Sequence, residues 1–188
     1  MSPLDESVGA AYLADVVRQY KLYKGYVDKA LPRVPDADLH TELDPNSNSI
    51  AIIIKHVAGN LRSRWTDFFA ADGEKPDRQR EREFELEPGD TRAALMARWE
   101  AAWSCLLETL DRMTAEDVSR TVVIRAEPHT VTRAALRSLA HTAGHVGQIV
   151  LLAKHVSGER WRSISIPRGQ SEQVNQMMRE QFAAKHTT

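Results

Sequence analysis

Apolar residues recur at three- and four-residue steps over most of this chain, which is the period of an amphipathic α-helix. The pattern predicts four long helices and a shorter fifth one. Pro32 and Pro35 end the first helix, because proline lacks the amide that a helix interior needs. Ser157 and Gly158 end the fourth. The predicted ranges are residues 7–29, 50–70, 91–113, 132–156 and 171–185.

The segments between these helices are polar or irregular. Asn48 or Ser49 is suited to cap the second helix, and Asp90 or Thr91 the third. Residues 71–90 are polar and residues 78–85 are rich in alternating charges, which predicts a solvated loop rather than a recognition patch. Residues 121–125 are β-rich and are followed by Pro128, which predicts a short extended segment or a hairpin. We therefore expect an all-α protein, a four-helix bundle with a short extended segment and an extra C-terminal helix, forming one domain over residues 1–188.

Charge and composition narrow the classes of binding partner and the compartment that we expect. The chain has 25 Lys and Arg against 26 Asp and Glu, a net charge of -1, which argues against nucleic acid or an anionic membrane surface as a partner. No apolar run is long enough to cross a membrane. The N-terminal residues lack a basic region followed by an apolar one, and Cys105 is the only cysteine, so we expect a cytoplasmic protein without a disulfide.

The seven histidines are the part of the composition that can carry chemistry. His141 and His145 are four residues apart, so on a helix they lie about 40° apart around the axis and about 6 Å apart along it. Both imidazoles can then reach one divalent metal ion. A third ligand must come from elsewhere. His56, midway along the second predicted helix, is the best candidate.

Two interpretations of these histidines remain open. Each of the two helices carries a polar strip, with His56 and Asn60 on one and His141, His145 and Gln148 on the other. The strips are either ordinary solvated faces or the two walls of a cleft in which the imidazoles converge on a metal. The absence of Lys, Arg and Glu from residues 139–153 favours a covered site. In both interpretations the fourth helix buries an opposite apolar stripe, made of Leu136, Leu139, Ala143, Val146, Val150 and Ala153.

Two stretches of the chain resemble the DinB/YfiT-like superfamily. One is IIIKHVAGNLRSRW, with a single histidine on the second helix, and the other is LAHTAGHVGQIVLLAKH, with its H-x3-H-x2-Q-I pattern. The similarity runs from the first helix to about residue 156. The later WRSISIPRGQSEQVN is similar to an uncharacterised branch of the same superfamily, in which an I-P-R-G-Q segment follows the bundle.

The resemblance implies a four-helix bundle that is usually a homodimer. It also implies a three-histidine site for nickel, zinc or iron at His56, His141 and His145. Some members of the superfamily are thiol S-transferases that use low-molecular-weight thiols, and others are proposed to be metal-dependent hydrolases. We therefore expect a metal-dependent enzyme acting on a small molecule. The alternative is a non-catalytic helical interaction module whose metal is structural or absent.

Three further polar residues are candidates for substrate binding. Gln148 is suited to orient a ligand, to support a metal ligand or simply to pack. Asn60, one turn after His56, has the same alternatives. Arg168, within the I-P-R-G-Q segment, is suited to hold an anionic group with its planar guanidinium, or to stabilise the fold by a bidentate contact.

Overall fold

In a computed structural model, which describes residues 3–185 and the side chains of residues 8–183, the chain forms five α-helices and a two-stranded hairpin. The helices are α1 (Pro3–Ala30), α2 (Ile50–Trp65), α3 (Arg92–Asp111), α4 (Val131–Ser157) and α5 (Ser171–Lys185). The strands are β1 (Thr121–Ile124) and β2 (Glu127–Thr130). Four packed helices, one small hairpin and an extra C-terminal helix confirm the predicted fold class.

Side-chain caps set the first residues of helices α2, α3 and α4. The side chains of Ser49, Thr91 and Thr130 accept hydrogen bonds from backbone amides in the first turns of α2, α3 and α4. Each cap satisfies an amide that has no partner inside its helix. Gly158 ends α4 with a positive φ of 52°, which glycine adopts at little cost.

Helix α2 is shorter than its apolar pattern. The prediction carried it to residue 70, but it ends at Trp65, where the backbone of Thr66 becomes extended and Asp67 takes a φ of 47°. Phe68 is nevertheless buried, and its ring stacks on that of Trp65 at a centroid distance of 4.7 Å. Phe68 packs on the end of α2, and the helical spacing of apolar residues therefore extends past the last residue of the helix.

The core is built around large aromatic side chains. Tyr20 of α1 meets Trp65 of α2 and Trp103 of α3 edge to face, at centroid distances of 6.1 and 6.0 Å. Trp65 also donates its indole N–H to the Ser138 hydroxyl on α4, 3.2 Å away. These contacts join all four bundle helices, and they fix α2 against α4 where the histidines lie.

The buried face of α4 agrees with the prediction only in part. Thr142, Val146 and Ile149 lie at its centre, whereas Leu136 and Leu151 are 50% and 63% exposed. Of the predicted stripe, Val146 and Ala153 are buried and Leu139 and Val150 pack on the core, whereas Leu136 is exposed. Helix α4 is apolar around most of its circumference, so its pattern predicts the buried face only in part. His141 and His145 consequently lie at the edge of the buried face, both half-buried.

The hairpin is held to the segment that precedes α3. Strands β1 and β2 pair antiparallel, and the turn residues Arg125 and Ala126 both have positive φ, as a type I′ hairpin turn requires. The Asp72 carboxylate accepts hydrogen bonds from the amides of both turn residues. Residues 71–90 are thus anchored to the body of the protein at their beginning.

Helix α5 packs little against the bundle. Its apolar side chains Met177, Met178 and Phe182 remain 46–58% exposed. Among the residues that the structure describes, no helix is both long and apolar enough to cross a membrane.

Candidate metal centre

Three histidine side chains from two helices meet between α2 and α4. His56 is buried, with 5% of its surface exposed, and its Nε2 lies 3.2 Å from Nε2 of His141. His56, His141 and His145 each present one ligand nitrogen, and all three nitrogens lie within 4.8 Å of one another. The interpretation of these histidines as residues of solvated faces is therefore wrong for His56, and the sequence-predicted trio does come together.

Glu83 fixes the imidazole of His56. Nδ1 of His56 lies 2.8 Å from the Glu83 carboxylate, to which it donates its proton. Nε2 of His56 then carries the lone pair and faces the other two histidines. A carboxylate behind a histidine in this way fixes the tautomer and makes the free nitrogen a better metal ligand.

Arg78 in turn holds Glu83. Nε and one terminal nitrogen of the Arg78 guanidinium lie 2.8 and 2.9 Å from the two oxygens of the carboxylate, and the Arg78 side chain is only 4% exposed. Burial raises the pKa of Glu83, but the hydrogen bonds from His56 and Arg78 outweigh it, and the pKa is lowered. Glu83 therefore stays ionised and remains an acceptor for His56.

Gly59 makes room for this carboxylate. A Cβ atom at position 59 would lie 2.2 Å from Oε1 of Glu83, so any larger residue displaces the side chain. The glycine is three residues after His56 on α2 and leaves the helix surface open where Glu83 approaches. Because Gly59 lies within the regular helix, its role comes from the missing side chain, which lets Glu83 approach α2 closely.

Gln148 orients the imidazole of His145, as Glu83 orients that of His56. Its side-chain oxygen lies 2.8 Å from Nδ1 of His145, one turn earlier on α4. With Nδ1 donating to this amide oxygen, Nε2 of His145 is the nitrogen left for a ligand. The contact supports an orienting role for Gln148, and its direct role in substrate binding stays a prediction.

His141 is held in the neutral form. Burial, followed by the neighbouring His145 and His56 and by Arg78 and Arg64, lowers its pKa to about 4. Nδ1 of His141 is buried and has no hydrogen-bond partner among the described residues. Burial also lowers the pKa of His145, although the hydrogen bond to Gln148 acts in the opposite direction.

This donor set fits a divalent metal ion. Metal–nitrogen bonds of about 2.0–2.1 Å in a tetrahedral site place two ligand nitrogens about 3.3 Å apart. The 3.2 Å between the Nε2 atoms of His56 and His141 matches that spacing. The candidate ligand nitrogens of His56, His141 and His145 lie within 4.8 Å of one another, and neutral imidazoles are the protonation state that metals bind.

The other two predicted binding residues lie in different surroundings. Asn60 lines a small cleft beside His141. Arg168 lies in the exposed segment between α4 and α5 and forms no hydrogen bond or ion pair within the part of the chain described. The proposed binding of a substrate anion by Arg168 therefore stays a prediction.

The sequence did not indicate Glu83 and Arg78. Residues 71–90 were predicted to be a solvated loop, which is wrong for these two side chains and for Asp90, all of which are buried. Alternating charges predict exposed side chains because an isolated charge needs water around it. Arg78 and Glu83 instead neutralise each other, so both side chains can be buried. The sequence carries no periodic signal for a contact between residues 56 and 83.

Comparison with known proteins places the chain without assigning an activity. No curated protein sequence matches it. Residues 7–170 match the model of a family described as a protein of unknown function, DUF1572. Since that match covers most of α1, the other three bundle helices, the hairpin and all three histidines, the chain belongs to the DUF1572 family.

Proposed function

We propose that the chain is a metal-dependent enzyme of the DinB/YfiT-like superfamily, with His56, His141 and His145 as ligands of nickel, zinc or iron. The observation that carries the proposal is the convergence of three ligand nitrogens within 4.8 Å, two of them oriented by Glu83 and Gln148. A structural metal needs four protein ligands as a rule, and three leave a position for a substrate.

Among the possible reactions we favour transfer to or from a low-molecular-weight thiol. A divalent ion held by three neutral histidines supplies Lewis acidity, which lowers the pKa of a thiol or water bound beside it. The protein's part is to hold the three imidazoles in fixed tautomers and to position a small-molecule substrate in the cleft beside His141. We propose a cytoplasmic homodimer of one domain per chain, without a nucleic-acid or membrane partner.

A conjugation assay tests this proposal. Tag-free protein is loaded separately with Ni²⁺, Zn²⁺ or Fe²⁺ and mixed with a small thiol and a fluorogenic electrophile. We expect product formation that depends on both metal and thiol, and that is lost in His141→Ala. The matched control is His155→Ala, because His155 is exposed on the same helix and outside the cluster. Turnover of an activated ester without thiol would instead indicate the hydrolase.

A second candidate, a non-catalytic interaction module, is favoured by the exposed apolar residues. Leu136 and Leu151 on α4, and Met177, Met178 and Phe182 on α5, present apolar surface without cover. Such surface is typical of an interface. A metal-loaded protein that neither conjugates thiols nor hydrolyses esters, yet is a dimer by light scattering that Leu151→Glu dissociates, would support the module over the enzyme.

A further inference from the structure

A small cleft opens directly beside His141. It has a volume of about 60 Å³ and is lined by residues of α2, α4 and β1, among them Asn60, Arg64, Arg137 and Ser138. One water molecule takes up about 30 Å³ in the liquid, so the cleft has room for a group of two or three heavy atoms. Two of its polar side chains have no partner in the part of the chain described.

Asn60 is the first of these side chains. It is only 9% exposed, yet its carboxamide makes no hydrogen bond with any described residue. Buried amides are nearly always hydrogen-bonded, because leaving them unpaired is costly. Its neighbours on α2 follow this rule, since the Ser63 hydroxyl bonds to Gly73 and to Lys75. The polar atoms of Asn60 keep contact with solvent at the cleft, so a ligand bound there can supply the missing hydrogen-bond partner.

Arg137 is the second polar side chain of the cleft that has no partner among the described residues. It lies four residues before His141 on α4, so Arg137, His141 and His145 form one row along the helix. The nearby arginines are paired with carboxylates, Arg64 with Glu74 and Arg133 with Glu127. Arg137 has no such partner among the described residues. An unpaired guanidinium at the mouth of the cleft favours a ligand with negative charge.

We propose that this cleft binds a carboxylate of the substrate, held by the Arg137 guanidinium and the Asn60 carboxamide next to the histidine cluster. Arginine matches a carboxylate with two parallel N–H donors, and the asparagine NH₂ group supplies a further donor. The volume suits one carboxylate and leaves the rest of the molecule toward His141. The proposal rests on the proposed function only in placing the reacting group of the substrate at the three histidines.

Titration with acetate, followed by NMR of the asparagine side-chain amides, tests the proposal on the full chain. The titration is run on metal-free and on zinc-loaded protein, with acetamide as the neutral probe of the same shape. We expect the Asn60 amide signals to shift with saturation in acetate and not in acetamide. Arg137→Met should weaken acetate binding roughly tenfold, the loss of one charge-assisted hydrogen-bonding group. Arg137→Lys should be intermediate, since it keeps the charge but not the fork.

Arg133→Met is the matched control, because it removes an arginine from the preceding turn of α4, outside the cleft residues. It should leave acetate binding unchanged. A lack of saturation, or acetate binding that Arg137→Met does not weaken, would overturn the proposal. Zinc binding measured on the same samples decides the metal site separately, since the acetate result on metal-free protein does not depend on it.

Discussion

Two adjacent residues of α2, Lys55 and His56, are both buried and both meet a carboxylate from residues 71–90. Lys55 donates to Asp90 and to the backbone oxygen of Glu85, each at 2.6 Å. Asp90 in turn accepts from the amide of Glu87 and from Arg98, so both charges of the pair are compensated within the protein. His56 donates to Glu83 with one nitrogen and turns its other nitrogen toward two more histidines.

The two pairs differ in what they leave available for a ligand. Both pairs connect the same segment to the same helix, and both carboxylates have lowered pKa values despite burial, because of hydrogen bonds from their partners. In the Lys55 pair, each charge is compensated by groups of the protein. The His56 pair leaves Nε2 of His56 in a cluster of three histidines that could hold a metal ion.

The largest effect on stability should come from breaking the Lys55 pair. Asp90→Ala leaves the Lys55 ammonium buried without its countercharge, and we expect the free energy of unfolding to fall by about 3–5 kcal/mol. Urea denaturation measures it. Asp28→Ala, which removes a partly exposed partner of Lys24, should cost at most about 1 kcal/mol. Metal affinity of the folded Asp90 variant should stay near that of the wild type, and a large loss of affinity would mean that the two pairs are not separate.

Changing Glu83 should affect metal binding more than stability. Glu83→Gln keeps an acceptor for His56 but removes the negative charge, and we expect metal affinity to fall by about 10–100-fold. Competition with a chromophoric chelator measures the affinity. Glu81→Gln, two residues away and 83% exposed at the side chain, is the control and should have no effect. Equal affinities for the two variants would contradict the role given to Glu83.

Gly59→Ala should disturb the same pair, His56 and Glu83, by steric contact. Its new Cβ displaces Glu83, so metal affinity should fall in the same direction and by no more than in Glu83→Gln. In the double variant the two losses should not add, because both act on one interaction. Gly147→Ala is the control, since a Cβ there meets nothing within 4 Å and the change should stabilise α4 by up to about 1 kcal/mol. Additive losses would show that Gly59 acts elsewhere.

The smallest expected effect is on the pH dependence of the metal-free protein. His141 has a pKa of about 4 in the folded chain and 6.5 as its ordinary value. Between these values the unfolded chain binds a proton that the folded chain does not, so stability is full above pH 6.5 and is lost as the pH falls toward 4. Thermal unfolding from pH 7 to pH 5 should show a decline that is smaller in His141→Asn. An identical decline in both proteins would contradict the lowered pKa.

The sequence was sufficient to predict most of the fold and the clustering of the three histidines. Helical periodicity, caps and breakers are local signals, and the spacing of His141 and His145 places both on one face of a helix without knowledge of its neighbours. The buried face of α4 was predicted only in part, because its apolar residues surround the helix. The partnership of His56 with Glu83 was missed because it joins residues 27 positions apart through a segment with no periodic pattern.

Metal binding by the tag-free protein, measured as stoichiometry and affinity beside His141→Ala and His155→Ala, tests the central claim most directly. We predict one divalent ion per chain for the wild type and for His155→Ala. For His141→Ala we predict an affinity loss greater than the roughly 100-fold that outer partners of a metal site cost. A wild-type protein that binds well below one ion per chain, or a His141→Ala variant that binds as tightly as the wild type, would contradict a metal centre at these three histidines.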